Sequence, residues 1–506
     1  MAVVVAIDAG TTGVRSMAVD SAGCEAAYSY REFPQYFPRP GRVEHDATEI
    51  WHAVVATLTE LCARLDELGE AVAAVGIANQ RETAVAWRRS TGEPVHRAIV
   101  WQDVRTAERC AELVEQGRQP TVRARTGLLI DPYFSATKFE WLMHHATLPP
   151  LDDLALGTVD SWLLWKLSGQ GGAGADGVPL HATDFTNASR TMLFGIGPGD
   201  GWDGELCELF GVPTQCLAEV FPSAGRITVT GDTTALGAGV PVSGVAGDQQ
   251  AALFGQACFD VGDAKATYGT GSFVLMNVGT TLPPPADGLL TTRAVGIGDD
   301  PVYALEGSVF ATGAAIQWLR DGLGIISAAE ELGPLAASVP DSGGVFVVPA
   351  FAGLGSPWWD PNARGTVVGL TRGTGRAHLA RAVVEAIAFQ VRDVTDVMGA
   401  AAGHPVAALR VDGGAAAMDL LLQLQADQLG VVVSRPRNAQ TTAMGAAMTA
   451  GLAEGVWGST TELRAAWQLD REFEPAGGAD VRAEADRLHE QWLRAVERSR
   501  DWVQPH

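Results

Sequence analysis

The chain opens on an unbroken apolar run at residues 2–7, which ends at Asp8 and the turn Gly10-Thr11-Thr12-Gly13. An apolar stretch without alternation predicts a strand buried on both faces. The same transition recurs at Val245-Ala-Gly into Asp248, at Ala266-Thr-Tyr into Gly269-Thr270-Gly271, and at Leu409-Arg-Val into Asp412-Gly413-Gly414. Helical patterns lie between these runs. Residues 378–398 carry Leu379, Ala382, Val383, Ala386, Ile387 and Val391 on one face, and 482–503 carry Leu488, Trp492, Val496 and Val503. Strands alternating with helices predict an α/β chain. A boundary between two halves, 1–250 and 251–506, falls just after Asp248. The Gly-rich segment 169–179 reads as a loop, either a solvated turn or a lid.

The length of 506 residues calls for two or three domains, and 47% hydrophobic residues can fill their cores. A net charge of −23 argues against nucleic acid or anionic lipid as main partner. Six cysteines, scattered without a C-x-x-C pair, argue against zinc and a disulfide framework. The opening apolar run is too short for a signal peptide, and no apolar stretch reaches membrane-spanning length, so a cytoplasmic protein is expected. No G-x-x-x-x-G-K-[ST] run is present, which excludes a P-loop enzyme.

The candidate chemistry sits at the ends of the apolar runs. After Asp8, the glycines at 10 and 13 let backbone approach a phosphate, and the Thr11 and Thr12 hydroxyls can donate to it. Arg15 can pair with phosphate, and Asp8 can hold Mg²⁺ through waters. The plainer alternative is an ordinary turn with a satisfied Asp. Gly269-Thr270-Gly271 and Asp412-Gly413-Gly414 are further turns of this kind. Arg81-Glu82 and Asp248-Gln249 each combine a donor with an acceptor, which is what a hydroxyl needs. Trp101, Tyr133 and Phe273 could lie against the C–H face of a polyol, although core packing is the simpler reading for Trp101 and Phe273. Asp248 is either a general base for phosphoryl transfer or the cap of a helix starting near Gln249.

These residues stand in longer runs. They include Asn79-Gln-Arg-Glu-Thr83, Ile99-Val-Trp-Gln102, Thr126-Gly-Leu-Leu-Ile-Asp-Pro-Tyr-Phe-Ser135, Thr186-Asn-Ala-Ser-Arg-Thr-Met-Leu-Phe194, Gly247-Asp-Gln-Gln-Ala-Ala-Leu-Phe-Gly255 and Gly353-Leu-Gly. With them the chain resembles the FGGY carbohydrate kinases over nearly its whole length, and within them the glycerol-phosphorylating branch. The resemblance implies two actin-like (ribonuclease H-like) ATPase domains flanking a cleft. It implies ATP and Mg²⁺ as cofactors, glycerol as substrate, sn-glycerol 3-phosphate as product, and a homodimer or homotetramer. It carries the polyol pocket onto Arg81, Glu82, Trp101, Tyr133, Asp248, Gln249 and Phe273. It carries the nucleotide contacts onto Thr11, Thr12, Gly13, Arg15, Thr270, Gly313, Gln317, Gly414 and Met418. Two departures stand out. Gly13-Val14 replaces a Ser-Ser pair at the first turn, and Met418 replaces an Asn near the base, which together predict weaker or less selective nucleotide binding. An FGGY kinase for a tetritol, a pentulose or gluconate is the nearest alternative. A non-catalytic sensor or scaffold on the same fold is the more distant one.

Overall fold

A computed structural model describes residues 2–169, 179–199, 201–298 and 300–503. The loop expected at 169–179 lies, apart from its two end residues, outside them. Two large sheets organise the chain. The first runs in the order Ala224–Val229, Pro241–Gly247, Ala71–Asn79, Ala2–Ala9, Gly13–Val19, Glu25–Glu32. The second runs Leu290–Arg293, Tyr303–Val309, Ser272–Gly279, Asp263–Tyr268, Ala408–Asp412, Val433–Pro436, Leu469–Phe473.

Both sheets repeat one plan. The opening strand pairs antiparallel with the next strand in the chain and parallel with a later one: Ala2–Ala9 with Ala71–Asn79, and Asp263–Tyr268 with Ala408–Asp412. The parallel strands are the apolar runs of the sequence, and Val3 through Ile7 have no solvent exposure. Their carboxyl ends carry Asn79, Gly247 and Asp412, each followed by one of the polar motifs. Ligands bind beyond the carboxyl ends of strands in such sheets. Because the plan is duplicated, the turns Gly10-Thr11-Thr12 and Gly269-Thr270-Gly271 occupy equivalent positions, and both border the space between the sheets.

The long helix spans Arg376–Ala402 and stops where Gly403 turns left-handed, at φ 76°. Its expected stripe is buried at Ala382, Val383, Ala386, Ile387 and Val391. The last helix is Ala479–Ser499, with Trp492 and Val496 buried. Val503 is not part of it, because Arg500 takes extended backbone and ends the helix first. The two helices are locked together where Trp492 stacks on Phe389, ring centroids 5.4 Å apart, and donates its Nε1 proton to Asp393 at 2.8 Å.

Helix Thr441–Ala453 comes from the second half of the chain yet lies on the first sheet and on helix Asp248–Gly255. Glycine makes this approach possible. A Cβ on Gly76 would lie 2.0 Å from the Ala446 carbonyl oxygen, and one on Gly445 would lie 1.8 Å from that of Ala251. Among the described residues no helix is long and apolar enough to cross a membrane. All six cysteines are unpaired.

Candidate active site

A cavity of about 580 Å³ lies between the sheets, walled by Thr11, Trp101, Tyr133, Gln249, Thr270 and Phe273 among others. Trp101 and Phe273 are half-buried and border this space, and Phe273 also packs on a small core cluster that includes Leu253 and Leu275. Trp101 meets Tyr133 edge to face at 5.5 Å and donates its indole proton to Thr11 Oγ1 at 2.9 Å. The aromatic wall and the first turn are therefore one hydrogen-bonded unit. The loop that carries Tyr133 is anchored by the buried Lys138, whose Nζ donates to the carbonyls of Pro132, Tyr133 and Phe134. Burial pulls the Lys138 pKa down to about 8.

One hydrogen bond behind Tyr133 lies a buried ionic cluster. Arg81 follows the strand Ala71–Asn79, is 2% exposed, and donates to Tyr133 Oη at 3.3 Å. Its other partners are Gln250 at 3.2 Å, Glu306 at 2.5 and 3.2 Å, and Asp248, with Nε 3.2 Å from Oδ1. Arg190 binds Glu306 at 3.0 Å and Glu82 at 2.6 Å. Burial alone would raise the Glu306 pKa, but Arg190 and Arg81 outweigh it and hold the carboxyl down at about 2. At Glu82 burial prevails over the same arginines and its pKa is raised. Glu82 has φ 60°, a left-handed conformation rare outside glycine, which marks a strained backbone at the site.

Asp248 is the first residue of helix Asp248–Gly255, and its N-cap is Gly247. The Asp248 side chain is not the N-cap, yet it satisfies one of the free first-turn N–H groups. It accepts from the adjacent N–H of Gln249 at 2.7 Å and pairs with Arg81. Its side chain is 30% exposed where that of Arg81 is 2%, so the carboxylate stands at the edge of the cluster with solvent access. Across from it, Asp8 is held at 3.5 Å from Arg15 on the paired strand. Burial raises the Asp8 pKa to about 6, Arg15 opposes the rise, and the charge of Asp248 adds to it.

A second cavity of about 740 Å³ is lined by Thr270, Gly313, Gln317, Gly414 and Met418. Both cavities are bordered by Gly269 and Thr270, so they meet at that turn. Met418 packs on Gly333, where a Cβ would lie 3.2 Å from its Cγ. The turn glycines divide into two kinds. Around Gly10 and Gly269 the nearest atom to a Cβ would be 3.5 Å away, and around Gly414 there is none within 4 Å. These three leave room for a ligand. Gly13 does not, because a Cβ there would lie 2.6 Å from Tyr30 Oη and 2.7 Å from the Arg31 carbonyl oxygen. Its missing side chain lets strand Glu25–Glu32 pack against the turn. Gly13 and Arg15 line neither cavity.

Sequence reasoning missed Arg190, Glu306, Gln250 and Lys265. Glu306 had a signal: it is a lone acid in the otherwise uncharged strand Tyr303–Val309, and a buried charge needs a partner.

Models of the FGGY family of carbohydrate kinases match the chain twice, the N-terminal domain at residues 3–255 and the C-terminal domain at 264–454. The chain is 52% identical to a glycerol kinase of Trichlorobacter lovleyi, covering 100% of both sequences. It superposes on the crystal structure of Plasmodium falciparum glycerol kinase with ADP at TM-score 0.92 and 30% identity, covering 100% of this chain and 99% of that one. A gluconate kinase from Lactobacillus acidophilus shares the fold at TM-score 0.85 and 20% identity, with 97% of each chain covered.

Proposed function

Because the chain belongs to the FGGY family of carbohydrate kinases, we propose that it transfers the terminal phosphoryl group of ATP to glycerol, giving ADP and sn-glycerol 3-phosphate. The observation that carries this reading is the meeting of two cavities at Gly269 and Thr270. One is sized and lined for a nucleotide, and the other is walled by Trp101, Tyr133, Gln249 and Phe273, with Arg81 one hydrogen bond behind Tyr133. The halves 1–250 and 251–506 are read as the two domains.

Glycerol lies between Trp101 and Phe273, with Arg81, Glu82, Tyr133 and Gln249 orienting its hydroxyls. Asp248 takes the proton of the attacking hydroxyl as the new P–O bond forms and the bond to ADP breaks. Thr11, Thr12 and Thr270 donate to phosphate oxygens. Gly13 and Arg15 support the first turn from behind. Gly313, Gln317, Gly414 and Met418 hold the rest of the nucleotide. ATP has room in the larger cavity without a side chain at Gly414.

Asp8 suits Mg²⁺: a largely buried carboxyl, 14% exposed, whose burial and the nearby Asp248 disfavour its charge until a cation arrives. Mg²⁺ keeps most of its waters and is held by one or two carboxylates together with phosphates. When bound, it would neutralise charge on the phosphates.

The test is ADP release with Mg·ATP across glycerol, dihydroxyacetone, erythritol, xylulose, ribulose and gluconate. A preference for glycerol supports the reading, and a preference for a larger substrate overturns it. Asp248→Asn should lower kcat by roughly 10²–10⁴-fold with little change in glycerol KM. Near-normal turnover removes the base assignment.

A further inference from the structure

Lys265 is one of only three lysines in the chain, and it is fully buried on the strand Asp263–Tyr268 of the second sheet. Its Nζ donates to Gln249 Oε1, across the gap between the sheets, and to Thr267 Oγ1 at 2.9 Å. An ammonium has three donors and no acceptor, so every group it meets must accept from it. Gln249 therefore gives its carbonyl oxygen to Lys265. Its NH₂ makes no other hydrogen bond among the described residues and is left for the cavity that Gln249 walls together with Thr267. Thr267 is constrained in the same way: its oxygen accepts from Lys265, so its proton must be donated elsewhere. Burial pulls the Lys265 pKa down, while the charges of Asp412 and Asp248 oppose that fall and favour the ammonium.

We infer that Lys265 is a positioning residue that sets the direction of hydrogen bonding at the reacting hydroxyl, so that Gln249 can only donate to the substrate oxygen and the proton is left to Asp248. This rests on Asp248 acting as base. The oxygen and nitrogen ends of an amide have nearly the same shape, so packing alone does not choose between the two orientations of Gln249. A reversed amide would present its oxygen to the substrate and compete with Asp248 for the same proton. Lys265 removes that option from the far side of the cleft.

The experiment uses the full chain as Lys265→Met, Gln249→Glu, the double variant and Asp248→Asn, with glycerol and ATP kinetics and a melting temperature for each. Gln249→Glu still accepts from Lys265 but offers the substrate only an acceptor, so it imitates the reversed amide. Each single variant should lose roughly 10–100-fold in kcat with glycerol, while the ATP KM stays within about twofold. The double variant should be no worse than the poorer single, because both act on one feature, the donor that Gln249 presents to the substrate: one variant frees its orientation and the other deletes it. Multiplying losses in the double variant, or a Gln249→Glu kcat within about twofold of wild type, would overturn the inference. Gln249→Glu keeps Lys265 and so decides the matter even where Lys265→Met fails to fold. If Asp248→Asn alone retains turnover, the base reading has failed, and the inference falls with it. If Asp248→Asn is inactive while Gln249→Glu is normal, only the inference has failed.

Discussion

Glu306→Gln is the sharpest probe of how the site is held. The substitution keeps the shape of the side chain and removes an anion that bridges two buried guanidiniums, Arg81 and Arg190, leaving Glu82 as the other acid within reach of both. It also replaces an acceptor by an amide NH₂ that faces donors. The carboxyl is held down at about 2 from an ordinary 4.5. That difference corresponds to about 3 kcal/mol in favour of the folded state. The sign follows from the direction: the folded-state pKa lies below the unfolded one. The contribution is therefore complete above about pH 5 and is lost as pH falls towards 2. Removing one partner of a buried ion pair costs about 3–5 kcal/mol, which agrees. For a chain of this size the melting temperature should fall by roughly 3–6 °C near neutral pH, as read by calorimetry. Arg81 loses its strongest anchor, so the glycerol KM should rise while the ATP KM does not. Glu306→Asp, which keeps the charge, should lose less. A Glu306→Gln melting temperature within about 1 °C of wild type would refute the reasoning, because Glu82 and Asp248 would then be sufficient to hold both arginines.

Two further outcomes follow from groups around the first turn. Asp8 has its pKa raised to about 6, so its ionisation opposes folding once pH exceeds the unfolded value. Asp8→Asn should then stabilise the ligand-free chain by about 1–3 kcal/mol near pH 8, roughly half as much near pH 5, and abolish turnover; equal stability at both pH values would count against it. Gly13→Ser restores a hydroxyl but drives its Cβ into Tyr30 and Arg31, so it should cost about 1–3 kcal/mol without tightening ATP. A tighter ATP titration with an unchanged melting temperature would show that the hydroxyl reaches phosphate after all.

Much of the fold was legible because continuous apolar runs admit few alternatives. Residues 2–7, 245–247 and 409–411 read as buried strands; all three are strands, buried except at the exposed Ala2 and the half-buried Arg410. The polar motifs at their ends gather around one space because both sheets share a strand order that brings those ends together. What the sequence concealed was the cross-sheet support. Glu306 and Lys265 lie more than fifty and more than fifteen residues from Asp248 and Gln249 along the chain, on strands whose register no local pattern reveals. The crowding at Gly13 was hidden for a related reason: a glycine in a turn looks free until the neighbouring strand, with Tyr30, is in place.

The seating of helix Thr441–Ala453 on the first sheet also has a consequence for how the protein is made. The last of the strands Ala2–Ala9, Ala71–Asn79 and Pro241–Gly247 leaves the ribosome about 10–40 s before the helix that covers one of their faces, at ordinary rates of synthesis. During that interval Val4, Ala6, Ala74 and Ala246, buried in the finished protein, have nothing to cover them from this side. The early half is then a sticky intermediate and a natural client for chaperones. A fragment ending at residue 255 should aggregate when expressed alone, and adding residues 441–453 as a separate peptide should rescue it.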